Sequence, residues 1–95
     1  MNNPLAFLLA TVLCASTAVA ADSRTATLEV ANMDCAVCPI TVRKALEKVP
    51  GVASAKVDLK SKSAVVVFDP ARASPEALTR ATTDAGYPST VKRLQ

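Results

Sequence analysis

Cys35 and Cys38, in Asp34-Cys35-Ala36-Val37-Cys38, are the residues of this chain best equipped for chemistry. Two intervening residues let both sulfurs point at one centre. As thiolates the pair makes a soft two-ligand metal site; as thiols it makes a redox couple; oxidised, it makes a disulfide. The chain has no histidine, and its third cysteine, Cys14, lies upstream in an apolar run. A four-ligand zinc site of the usual Cys and His types is therefore excluded, as is a disulfide-rich secreted scaffold. Two thiolates suit an ion content with two soft ligands, Cu(I) or Hg(II). So few ligands on an exposed loop also let an incoming thiol take the ion over, which favours hand-off rather than storage.

Other readings of the pair stay open at this level. A structural disulfide would close a loop so short that it constrains the unfolded chain little. A thioredoxin-like redox centre would call for a longer chain and a central parallel sheet. The spacing can also arise by chance. An enzyme is not indicated, because no general base, nucleophile pair or cofactor loop stands beside the thiols.

The elements that must position the thiols are readable from periodicity. Arg24 to Val30 alternates, with Ala26, Leu28 and Val30 on one side and Thr25, Thr27 and Glu29 on the other, as in a half-buried strand. Ala31 to Val37 has neither period and is a loop. From Cys38 to Val49, the spacing of Cys38, Val42, Ala45, Leu46 and Val49 predicts a helix, with Pro39 in its first turn and Pro50-Gly51 ending it. Cys38 then lies at the positive end of a helix dipole, which favours thiolate, and near backbone N–H groups left free by the first turn.

Val52 to Leu59 alternates again, placing Ala53, Ala55, Val57 and Leu59 inward. Lys60 to Ser63 is a polar turn, and Ala64 to Phe68 completes a hairpin. Ser74-Pro75-Glu76 opens a second helix with the stripe Leu78, Ala81, Thr82 and Ala85, and Gly86 ends it. Ser89 to Arg93 makes a last short strand. The order strand, helix, strand, strand, helix, strand predicts an α+β fold, the ferredoxin-like βαββαβ sandwich: one four-stranded antiparallel sheet with two helices on one face.

Upstream, Leu5 to Val19 is almost wholly apolar and uncharged, and Ala18-Val19-Ala20 presents small residues where a signal peptidase reads. Residues 1–20 thus have the pattern of a cleaved secretory signal, cut after Ala20 or Ala21, although Met1 to Pro4 carries no Lys or Arg. The apolar run is shorter than the roughly 20 residues a spanning helix needs. Residues 21–95 remain as one domain, holding all 11 basic and 8 acidic residues and a net charge of +3. The basic residues are scattered, and Phe68 and Tyr87 are the aromatic residues left, so no stacking platform for nucleic acid exists.

The run Asn32-Met33-Asp34-Cys35-Ala36-Val37-Cys38 resembles the Gly-Met-x-Cys-x-x-Cys loop of heavy-metal-associated domains, which share this element order. Cys38-Pro39-Ile40-Thr41-Val42-Arg43-Lys44-Ala45-Leu46, Val49-Pro50-Gly51-Val52 and Asp84-Ala85-Gly86-Tyr87-Pro88-Ser89 extend the resemblance across residues 21–95. With the export signal, they point to the mercury-binding periplasmic branch of that family. The resemblance implies that Cys35 and Cys38 hold one Hg(II) in near-linear geometry, with Cu(I) as the alternative cargo. It implies hand-off to a cysteine pair on an inner-membrane mercuric transporter, by a monomer. A thiol–disulfide exchange protein is the rival from another class.

By the same resemblance, Met33 is a core residue beneath the loop rather than a ligand. Tyr87 either shields the metal loop or packs at the end of the second helix. Asn32 replaces the family's usual Gly, and Asn tolerates the left-handed backbone region. Asp34 is a solvated loop charge beside the thiols, partly opposing the helix dipole.

Overall fold

The computed structural model describes residues 23–95. The expected signal segment, with Cys14 and the expected cut after Ala20 or Ala21, lies outside the described residues. The elements β1 (Arg24–Val30), α1 (Cys38–Glu47), β2 (Val52–Asp58), β3 (Ser63–Phe68), α2 (Pro75–Asp84) and β4 (Ser89–Leu94) follow the expected order.

The sheet order is β2-β3-β1-β4, and every neighbouring pair is antiparallel. α1 therefore connects strands that have β3 between them, and α2 connects strands that have β1 between them. These are the interleaved split βαβ units of the ferredoxin-like fold. Ala26, Leu28 and Val30 of β1 and Ala64, Val66 and Phe68 of β3 form the floor of the core, with Val42, Leu46 and Leu78 of the helices above them. Burying a side chain such as Leu28, Val66 or Phe68 contributes about 1.5–3 kcal/mol. Alternate residues turn to the other face of the sheet, where Val65 is exposed.

α2 begins as its sequence dictates. The Ser74 hydroxyl accepts from the Ala77 N–H at 3.1 Å, Pro75 takes the first position, and Glu76 lies in the first turn. At its other end, Gly86 adopts φ 100° and the Tyr87 N–H donates to the Thr82 carbonyl at 2.8 Å. Thr82, fully buried, shares a 2.6 Å hydroxyl–hydroxyl hydrogen bond with Ser89 that joins α2 to the start of β4.

Three details depart from simple alternation. β2 carries a bulge: Val52 pairs with Phe68 and Ser54 with Val67, so Ala53 is an extra residue and is exposed rather than inward. Leu59 lies beyond the end of β2, exposed in the turn, and Ala85 caps α2 on the solvent side. β4 reaches Leu94 with its own register shift opposite Thr27 and Leu28, and as an edge strand it leaves Val91 and Leu94 partly exposed. No helix among the described residues is long and apolar enough to cross a membrane.

Candidate metal centre

The loop carrying the thiols is clamped at its base from both sides. The Val30 N–H donates to the Lys62 carbonyl at 2.9 Å, and the Ala31 N–H donates to the Pro88 carbonyl at 2.7 Å. Asn32 then turns the chain with φ 65°, the left-handed conformation expected of the residue standing in for Gly. That turn sends Met33 inward, where it is fully buried in the core, while Asp34, Cys35, Ala36 and Val37 face solvent. Met33 is thus an apolar anchor under the loop, as expected.

Cys35 is exposed, whereas Cys38 is only 4% exposed and belongs to the core cluster. Their Cα atoms lie 5.2 Å apart and their sulfurs are joined in a disulfide. Both thiols therefore meet at one point, on the surface end of α1. Among the described residues, no group of three or more Cys, His, Asp or Glu comes together in a way that could hold a metal ion. Within the loop, the sulfurs of Cys35 and Cys38 are the soft donors that come together.

The start of α1 differs from expectation in one respect. The Cys38 N–H donates to the Cys35 carbonyl at 3.1 Å, Pro39 has no N–H, and the Ile40 and Thr41 N–H groups both donate to the Val37 carbonyl. The first turn thus offers no free N–H to the sulfurs. The helix dipole remains, and α1 carries no acidic residue in its first turn to oppose it.

Asp34 is exposed, as expected, but it is paired. The Lys62 ammonium donates to its carboxylate at 3.0 Å, across 28 residues of sequence. Lys62 belongs to the β2–β3 turn and holds φ 54°. That turn is braced by Asp58, whose carboxylate accepts from the Ser61 hydroxyl at 2.8 Å and the Lys60 N–H at 3.3 Å. These hydrogen bonds, the Ser61 one foremost, hold the Asp58 carboxyl below its usual range. Tyr87 is half-buried against the core, which favours the packing role, and the neighbouring Pro88 carbonyl borders the metal loop through Ala31.

Known proteins share this fold and much of this sequence. Residues 27–88 match the model of the heavy-metal-associated domain. A mercuric transport protein periplasmic component from Shewanella putrefaciens is 53% identical over 88 residues, 93% of this chain and 96% of that protein. The chain belongs to the heavy-metal-associated domain family, in its branch of periplasmic mercuric transport components.

Two solved members of the family bracket the chemistry. One is the mercury-bound form of the periplasmic protein of the bacterial mercury detoxification system, at 55% identity and TM-score 0.68, covering 75% of this chain and 99% of that one. Another is a copper-binding domain of a P-type ATPase, at 35% identity and TM-score 0.74, covering 76% and 97%. The mercuric relatives are metal-binding carriers, not enzymes.

Proposed function

We propose that the protein is exported to the periplasm, where residues 21–95 capture one Hg(II) between Cys35 and Cys38 and pass it to an inner-membrane mercuric transporter. The observation that carries this reading is the meeting of an exposed and a buried sulfur on an otherwise ligand-free loop, in a chain of the mercuric branch. The leader pattern of residues 1–20 and the relatives' periplasmic designation support the location.

The chemistry proceeds from the reduced pair. A thiol reductant converts the disulfide to two thiols: two small thiols supply two electrons and two protons and leave as their own disulfide. Hg(II) then displaces the two thiol protons and forms two Hg–S bonds, giving a neutral complex. Two sulfurs on opposite sides of one ion stand farther apart than in a disulfide. Cys38 is fixed in the core, so Cys35 makes the outward movement on its exposed, irregular loop. Transfer proceeds without redox change by two successive exchanges: each incoming thiolate bonds to mercury as one protein thiolate leaves. Domain exposure and the absence of further ligands make such exchange fast.

A second reading, Cu(I) carriage, draws support from the copper-binding structural relative and from the same two soft ligands. Metal content decides between them. Reduced protein offered equimolar Hg(II) should hold one ion per chain, and Cys35→Ser or Cys38→Ser should abolish tight binding. Unchanged 1:1 loading of the double variant would sink the site assignment.

A further inference from the structure

We propose that Lys62 governs the rate at which anionic thiols take the ion, by neutralising Asp34 beside the exposed Cys35 sulfur. This inference deepens the carrier reading and rests on it. Asp34 immediately precedes Cys35 and, like it, is exposed, so it sets a negative charge one residue from the site. A cleft of about 420 Å³ opens beside Asp34, lined among others by Glu29, Asn32, Asp34 and Lys62 but by neither cysteine, so Glu29 adds a second carboxylate beside Asp34 rather than at the sulfurs. One ammonium is set against these charges, 3.0 Å from Asp34. Lys60, in the same turn, is exposed, and Asp58 is engaged within that turn.

Lys62 is well held for this task. Its carbonyl accepts from Val30 at 2.9 Å, its N–H donates to the Leu59 carbonyl at 3.3 Å, and its φ of 54° fixes the turn. The backbone under the ammonium is thereby tied to the residue from which the metal loop departs. The pair is solvent-exposed on both sides, so its contribution to stability is small. Its effect belongs to the exchange step instead. There an incoming thiolate bonds to the neutral dithiolate complex, the Hg–Cys35 bond breaks, and the Cys35 thiolate departs with the electron pair; a second thiolate then displaces Cys38 in the same way and frees the ion. Charge and oxidation state are conserved, but one extra negative charge sits at the mercury throughout the passage. An uncompensated Asp34 opposes that charge; Lys62 cancels the opposition.

The test uses full-length protein matured in cells, reduced and loaded with one Hg(II), in native, Lys62→Met, Lys62→Arg, Asp34→Asn and Lys62→Met/Asp34→Asn forms. Ion loss is followed by stopped flow with glutathione, which is anionic, and with cysteamine, which carries its own ammonium. At about 10 mM salt the screening length is about 30 Å, so the charge effect is fully expressed. Lys62→Met should slow exchange with glutathione about threefold, the order of one unit charge at water-like dielectric, and slow cysteamine, whose own ammonium offsets its thiolate, clearly less. Lys62→Arg and the double variant should exchange at the native rate, and Asp34→Asn alone at least as fast. A rate change shared equally by both thiols would reveal a loop tether without an electrostatic role and overturn the proposal, as would equal rates in all five proteins. The loading step separates the two ideas. Failure of native protein to hold Hg(II) removes the carrier reading itself, while normal loading with undifferentiated rates removes this inference alone.

Discussion

Cys35 and Cys38 stand 5.2 Å apart at their Cα atoms, yet one sulfur-bearing residue is exposed and the other is part of the hydrophobic core. The asymmetry follows from position. Cys38 is the first residue of α1 and shares its buried face with Val42 and Leu46, whereas Cys35 rides on the loop that Asn32 and Met33 turn outward. In reduced, metal-free protein, iodoacetamide should therefore modify Cys35 first, with Cys38 reacting at least about tenfold more slowly because it must await local opening. Cys38→Ser buries a hydroxyl in an apolar site and should destabilise the reduced protein by about 1–2 kcal/mol. Cys35→Ser should stay within about 0.5 kcal/mol of native. Equal alkylation of both thiols, read by peptide mass spectrometry, would contradict this division.

Asn32 holds a left-handed conformation at the foot of the metal loop. Ala there should cost about 1 kcal/mol in urea unfolding, because both residues crowd a Cβ against the carbonyl but Ala lacks the short polar side chain that favours this region. Gly should be at least as stable as Asn. Asn32→Ala at native stability would show that the loop does not impose this backbone angle.

Gly51 answers to a stricter constraint. Its φ is +98°, and an added Cβ would lie 2.8 Å from the Arg72 Cβ and 3.1 Å from the Ala73 backbone nitrogen. Gly51→Ala should destabilise by about 1–3 kcal/mol. Gly51 follows the opposite end of α1 from the thiols, so metal stoichiometry at saturation should be unchanged. A lowered urea midpoint with an unaltered slope and one ion per chain is the expected pair of results.

Much of this was legible in the sequence, for reasons that can be stated residue by residue. β1 alternates cleanly because one face packs on helices, while β3 reads as a strand from its β-branched apolar run. Pro39, Pro50-Gly51 and Ser74-Pro75 mark helix boundaries by local backbone chemistry. Alternation puts Ala53 inward, whereas a bulge adds one residue opposite β3, and a bulge leaves no mark on an apolar–polar alternation this weak. The Asp34–Lys62 pair was invisible because its partners are 28 residues apart and meet through strand order, not through any local pattern. Free N–H groups were expected at Cys38, where the turn instead folds back on the Cys35 and Val37 carbonyls.

Asp58 gives the fold a pH signature in the turn that carries Lys62. Its folded-state pKa is lowered, foremost by the Ser61 hydroxyl, so the folded state favours the carboxylate. The resulting stabilisation is complete above the usual carboxylate pKa of about 3.9 and is lost as pH falls through the lower folded-state value. The stability difference between native protein and Asp58→Ala should thus be flat above about pH 5 and shrink in more acidic solution. A difference that grows on acidification would reverse the assigned sign.

The most direct test of the central claim is the metal content of protein recovered from the periplasm of cells grown in sublethal Hg(II) or, separately, copper. Native protein should carry close to one mercury per chain, and Cys35→Ser should carry none. Copper in place of mercury, or mercury retained by the Cys35→Ser variant, would contradict the account.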